Sequence, residues 1–501
     1  MKMNRRKALK TAAAVVAGIP LLGCESIYST VSKELGQKIP ESMAVPESKN
    51  IDPVFHLLSR AAYGPWVGDL ERVRKQGTEA WIEEQLEPKK IDDNVCEIRA
   101  RRFETIHIVP GACYDFKKES LRSDIVRHTL LRAIYSKRQL LEVMVGFWTD
   151  HLNISLDKGD CVYFKASDDR LVIRDHALGN FKDLIKTSAR SPAMLVYLDG
   201  KENRKSGKDG VPNENYAREL LELHTLGVHG GYSQKDVYEV ARCLTGWRLH
   251  EDGGERGKVY FDASQHDDGE KIVLGQTIKA GAGEKDLDHV VDIVCAHPST
   301  AQYIAGKLAA KFINAPDKDI VDKASAAFTK SKGDIKSVVR VILNSDQFKE
   351  DRASKLKRPF HFMVSAMRSL AADTHAHLDL IEYLQRMGQA PFQYPTPDGY
   401  PEDPVFWTGT LLWRWKFGIA ATAGQIESVK VELDELLASM GIKKKGEKEL
   451  QTLFAHFVGR LPGADEFAAL NKFMQENPPS ELKHRAELAA LILASPAFQR
   501  Y

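Results

Sequence analysis

Residues 130–152 read LLRAIYSKRQLLEVMVGFWTDHL, and their apolar positions recur at spacings of three and four. That period belongs to an α-helix packed along one side. Leu141, Met144 and Trp148 form a stripe that leads into His151 at the helix end. Moving outward, the same period returns in His56-Leu57-Leu58-Ala61-Ala62 and over 181–198, 214–226, 235–247, 287–312, 320–348, 359–372, 426–437, 448–458 and 481–498. Strand signals are few. Segments 258–262 and 271–274, on either side of the turn-rich 265–269, predict at best one small hairpin. The fold class is therefore mostly α: a multi-helix globular domain over 51–425, followed by a C-terminal helical unit over 426–501. One internal echo stands out, with Asp334-Ile335 through Asn344-Ser345-Asp346-Gln347-Phe348 resembling Ala486-Glu487 through Ala494-Ser495-Pro496-Ala497-Phe498. It predicts two helical hairpins of similar build, each last helix pinned by its phenylalanine.

The chain has 501 residues, 43% hydrophobic and 28% charged, which is enough to bury a large core and too apolar for a disordered chain. Its 71 Lys+Arg and 69 Asp+Glu give +2, but Lys2, Arg5, Arg6, Lys7 and Lys10 lie in the first 23 residues, and without that segment the balance is −3. A nearly neutral to slightly acidic body lacks the electrostatic footprint of a nucleic-acid binder, so no nucleic-acid partner is expected.

The N-terminal segment carries an address. Arg5-Arg6 followed by the apolar 12–22 resembles a twin-arginine export signal, although Ala8 stands where that signal often has Phe. Leu21-Leu22-Gly23-Cys24 resembles a lipoprotein processing box, which marks Cys24 for lipidation. Residues 1–23 then form the signal peptide and 24–50 a flexible tether, polar and broken by prolines. The expected location is outside the cytoplasm, periplasmic or at the cell surface, with the protein held to a membrane by its N-terminal lipid. Beyond Cys24 the thiols are Cys96, Cys113, Cys161, Cys243 and Cys295, too sparse for a disulfide scaffold. Cys243 reads as a small core residue, and a Cys96–Cys113 pair is left open.

The densest polar stretch is Asn213 to Gly227, NENYARELLELHTLG. Asn213 is a credible helix cap and Gly227 a credible stop. Glu214, Arg218 and Glu222 share a stripe at i, i+4, Glu219 lies beside it, and Ala217, Leu220, Leu221 and His224 form the apolar neighbour face. Carboxylates one turn apart, such as Glu219 and Glu222, can share a cation or place a general base beside an acid. An adjacent guanidinium, Arg218, can bind an anionic substrate. His151 and His176, the latter sharing a face with Asn180, are partners expected from other helices. The expected catalytic set is Glu219, Glu222, Arg218 and His176. The expected ligands of a divalent metal are His151, His176, Glu219 and Glu222, and Asn213, Glu214, Asn215, Arg218 and His224 are expected to bind substrate. The proline-stiffened 394–404 (YPTPDGYPEDP), ahead of Trp407, Trp413 and Trp415, reads either as a lid offering aromatic faces and carboxylates or as a rigid crossing. No Gly-x-Ser-x-Gly elbow, Walker loop, His-Glu-x-x-His or dinucleotide fingerprint occurs.

Several stretches together resemble the bacterial family called domain of unknown function 1800. They are 56–65 (HLLSRAAYGP), 147–151 (FWTDH), 213–227, Asp236 to Trp247, Lys357-Arg358-Pro359 and 395–401 (PTPDGYP). The resemblance runs from about residue 51 to 501 and implies an exported, mostly helical protein. The genes of such proteins are often found beside those of a sulfatase-like family, which makes a co-exported sulfatase-like protein the implied partner. Its characteristic polar residues match here at His151, Arg174, His176, Asn180, Asn213, Glu214, Asn215, Arg218, Glu219, Glu222 and His224. Two readings remain: a metal-assisted or acid–base hydrolase of an envelope or extracellular polymer, or a non-catalytic binding or assembly protein.

Overall fold

The computed structural model describes residues 38–206, 211–442, 446–477 and 482–501. The expected signal peptide of 1–23, Cys24 and most of the expected tether of 24–50 lie outside the described residues. The end of the tether is docked: Met43 is buried and its N–H donates to Ser439 O at 2.8 Å, while Leu461 N donates to Ser48 O at 2.7 Å. Among the described residues no helix is long and apolar enough to cross a membrane.

The helix Gln139–His151 runs through the centre, as its sequence dictates. Leu140, Val143, Met144, Phe147 and Trp148 are buried, and the Trp148 indole N–H is satisfied by Ala177 O at 2.9 Å. Around it pack Pro53–Ala61, Thr78–Leu86, Lys118–Tyr135 and Asp169–Arg174, and Phe181 and Tyr303 bring Phe181–Ala189 and Pro298–Phe312 against Trp148 and His151. Prolines set two boundaries that periodicity alone ran through. Pro192 and Pro298 each open a new helix, because the ring fixes φ and removes a donor that a first turn does not use.

The β-structure corrects the single-hairpin expectation. Val259–Phe261 and Lys271–Val273 are both strands, but they do not pair with each other. The first pairs antiparallel with Trp247–Leu249 and the second with Gln276–Ile278. Leu274 (φ 48°) and Gly275 (φ 75°) form the two-residue turn of the second pair; positive φ at both positions matches the twist of adjacent strands. Segment 426–437 is likewise not one helix, since Val429–Lys430 pairs with Asp373–Thr374 and the helix starts at Leu433.

The internal echo is real in three dimensions. Ile335–Asn344 and Leu482–Ala494 each end at a serine whose hydroxyl accepts from the phenylalanine N–H three residues on: Phe348 N to Ser345 Oγ at 3.1 Å, Phe498 N to Ser495 Oγ at 3.3 Å. Both rings are fully buried. Residues 426–501 close onto the rest of the body through Leu411–Thr422 against Leu482–Ala494 and through Arg414, which donates to Lys357 O and Gln499 Oε1 at 2.7 and 3.0 Å. Cys96, Cys113, Cys161, Cys243 and Cys295 are free, so Cys96 and Cys113 do not pair, and Cys243 is a buried core residue as its position in a helix implied.

Candidate functional site

The helix Asn215–Glu219 continues into a π-helical turn, Leu220–Thr225. Asn213 Oδ1 accepts from Asn215 N at 2.9 Å, and Gly227 ends the segment at φ 83°. Inside, Leu226 N reaches back five residues to Leu221 O at 2.9 Å. The π turn persists because outside donors take its carbonyls: Tyr303 Oη donates to Leu223 O at 3.2 Å and His151 Nε2 to His224 O at 3.0 Å. Single π turns are rare and cluster at functional sites. A second one, Asp169–Arg174, lies on the far side of the central helix.

The π turn separates the polar residues into two groups. Ala217, Leu220, Leu221 and His224 are buried, while Glu219 and Glu222 are half-buried at the surface edge. Glu219 accepts no hydrogen bond and forms no ion pair among the described residues. Burial, the neighbouring Glu222 charge and Asp398 raise its proton affinity above that of an ordinary glutamate, and Arg218 opposes only in part. Glu222 also acts on Tyr232, whose phenol is pushed up by burial first and by the Glu222 carboxylate second. Arg218 itself is engaged elsewhere, donating to Glu214 Oε2 and Gln234 Oε1 at 3.0 Å each. Asn215 Nδ2 donates to Asp199 Oδ2 at 3.0 Å, and Asn203 Oδ1 accepts from Asn213 N at 2.9 Å. Thus Asn213, Glu214, Asn215 and Arg218, expected to hold substrate, build the wall behind the carboxylates.

The histidines behave differently from the sequence expectation. His151 is 2% exposed, and with Nε2 donating to the backbone its Nδ1 is an unprotonated, buried atom without a partner. Burial holds it neutral, reinforced by the charge of Lys307. His224 lies with its ring centroid 6.3 Å from that of His151, its Nε2 also unpartnered, and burial takes it down to about 3. His176 contacts Val172 O at 2.9 Å and Thr187 Oγ1 at 3.5 Å, all local. The Nε2 of His151 is used by the backbone and His176 turns to its own helix. Among the described residues no three His, Cys, Asp or Glu side chains are placed to hold a metal ion. The expected ligand set His151, His176, Glu219 and Glu222 is therefore not assembled.

The proline-rich segment is a rigid crossing. Asn153 Nδ2 donates to Tyr394 O and Thr396 O at 3.0 and 2.7 Å, Tyr197 Oη to Pro395 O at 2.9 Å and Arg358 Nη1 to Tyr400 O at 3.2 Å. Gly399 (φ 74°) lies so close to the end of the central helix that a Cβ there would sit 2.1 Å from Asp150 O. The crossing brings a residue that sequence reasoning missed, Asp398, into the field of Glu219 on one side and of Lys307 on the other. Behind it Arg358 donates to Asp150 Oδ2 at 2.7 Å and approaches Glu402 at 3.4 Å. Loop acids and lone helix lysines have no periodic signature, and only the quoted Pro-Thr-Pro-Asp-Gly run pointed toward Asp398.

Comparison with curated proteins and with solved structures finds no match. The matching family model is described as a protein of unknown function (DUF1800) and covers residues 56–500, which takes in the paired carboxylates, both π turns and the crossing. On that match, spanning nearly the whole chain, the protein belongs to the domain of unknown function 1800 family.

Proposed function

We propose that this protein is an exported, lipid-anchored acid–base hydrolase of an envelope or extracellular polymer, with Glu219 and Glu222 as its reacting carboxylates. The observation that carries this reading is the pair itself. Two carboxylates stand three residues apart where the α-helix passes into the π turn, Glu219 at the end of the first and Glu222 in the second, both half open to solvent, and Glu219 is unpaired among the described residues and holds its proton more tightly than usual. In such a pair the carboxyl with the raised proton affinity gives its proton to the leaving oxygen, and the ionised partner takes one from the attacking water. Glu219 fits the first role and Glu222 the second, with Tyr232 beside it. This step uses only these two carboxylates and water.

A specific observation favours the second reading, an assembly protein working with a co-exported sulfatase-like partner. Val405, Phe406, Leu412, Trp415, Ile419 and Leu491 are exposed, and four of them lie on Leu411–Thr422 and the helix it packs against. Apolar exposure of that density marks contact surfaces. The deciding experiment is turnover of a panel of envelope polymers by wild type, Glu219→Gln and Glu222→Gln, each variant checked for its fold. Turnover lost in both folded variants supports the hydrolase. No turnover of any polymer by wild type sinks it and leaves the assembly reading, whereas turnover undiminished in both variants takes the reaction away from these two glutamates.

A further inference from the structure

Behind the crossing lies a group of charges that the paired carboxylates do not use. Lys311 follows Lys307 by one turn on Pro298–Phe312, is 8% exposed, and forms neither a hydrogen bond nor an ion pair among the described residues. Lys355 Nζ donates to Ala310 O at 2.5 Å and pairs with Glu402 at 3.1 Å. Arg358 takes Asp150 and shares Glu402, and Arg60 is answered by Asp351 at 3.1 Å. Lys357 meets Ser365 Oγ at 3.1 Å and the face of Phe498 at 3.6 Å, with no carboxylate. His361, 6% exposed and packed on Tyr501 at 4.4 Å, sits in the field of Lys357, Lys311, Arg358 and Arg60, and its Nε2 is buried without a partner.

Cations therefore exceed carboxylates in this buried region, and the shortfall falls on Lys311 and Lys357. Unpaired buried ammonium groups are costly, and burial draws Lys311 down to about 8 and Lys357 to about 7. Glu402 is the shared counter-ion of Lys355 and Arg358, yet its side chain is 39% exposed and belongs to the crossing. A counter-ion at the solvent edge of a cation cluster is one that another anion can replace.

We propose that this cluster binds an anionic substituent of the polymer, a carboxylate, phosphate or sulfate group, seated on Lys311 and Arg358 in place of Glu402. That the anion belongs to the polymer rests on the hydrolase reading, whereas its binding does not. The test is calorimetric titration of the full chain at low ionic strength with sodium sulfate, sodium phosphate and sodium galacturonate in turn. Saturable binding of at least one is expected, and the tightest names the substituent. Lys311→Met weakens binding at least about tenfold. It should melt at or above the wild-type temperature, because it deletes an unpaired buried charge. Glu402→Gln tightens binding severalfold by removing the competitor, which keeps the proposal testable if Lys311→Met does not fold. No saturable binding of any of the three, or titrations unchanged in both variants, overturns it. Glu219→Gln separates the two readings, since it should bind the anion as wild type does. Anion binding without turnover of any polymer by wild type removes the hydrolase alone, and turnover lost in Glu219→Gln without anion binding removes the anion site alone.

Discussion

Two charged regions flank the central helix, and they are built on opposite principles. On one side Glu142 accepts from Arg174 at 3.0 and 2.9 Å and from Arg132 at 3.0 Å, while Arg174 also takes Asp169 at 2.7 Å and Arg132 takes both oxygens of Glu97. Burial alone would raise the Glu142 proton affinity, but the two guanidiniums outweigh it and keep the carboxylate ionised. In the other, Glu219 has no bonded partner among the described residues and lies in the field of Glu222 and Asp398, and Lys311 likewise has neither a hydrogen bond nor an ion pair there. A polar group satisfied on every side contributes to one fixed geometry; one left open retains its capacity to react or bind. By that measure Glu142, both of whose oxygens accept from guanidiniums, is a structural residue, and the paired glutamates are the ones proposed above to react.

The contrast breaks most visibly at Glu142. Glu142→Ala strands two buried guanidiniums and should cost about 3–5 kcal/mol, read as a lower midpoint in urea unfolding; a midpoint within error of wild type would erase the distinction. Glu219→Gln should do the reverse, leaving the midpoint at or slightly above that of wild type while lowering turnover on the susceptible polymer at least about a hundredfold. Its pH dependence sharpens the point. A carboxyl with a raised folded-state pKa binds its proton more tightly folded than unfolded. Stability is therefore lost as pH rises from about 4 through the raised value. Wild type should fall slightly below Glu219→Gln in melting temperature over that interval, and parallel curves would show that Glu219 is not perturbed. The smallest effect belongs to Arg218→Ala, which removes a half-exposed i, i+4 pair with Glu214 at 3.0 Å and should cost only about 0.3–0.5 kcal/mol. A large rise in KM for that variant would restore Arg218 to the substrate-binding role its sequence position suggests.

The central helix, the serine-capped echo and the acidic segment were legible because each is encoded within a few turns of chain. Leu141, Met144 and Trp148 declare a helix face locally, and Ser345 and Ser495 declare their caps. What could not be read was which side chains meet across distant segments. His151 finds His224 O across 73 residues, and Asn153 finds Thr396 O across 243. The metal set failed for the same reason: histidine at a helix end is equally consistent with a ligand and with a backbone anchor. The π turn added a second difficulty, since its five-residue hydrogen bond shifts Glu222 and His224 away from the i, i+4 register that a regular helix assumes. Proline positions were visible, but their consequence at 192 and 298 was to divide what periodicity had joined.

The close approach of Gly399 to Asp150 O has a kinetic consequence. The crossing rests on the end of the central helix with no room for even a methyl group, and four side-chain hydrogen bonds from Asn153, Tyr197 and Arg358 hold it there. An anion that takes the place of Glu402 at the solvent edge therefore exchanges without the loop having to open, so its residence time is set by its own contacts rather than by a local opening of the crossing. Amide hydrogen exchange at Thr396, Asp398, Gly399 and Tyr400, the residues of 395–401 that carry an amide hydrogen, should then be the same in the empty and the anion-loaded protein.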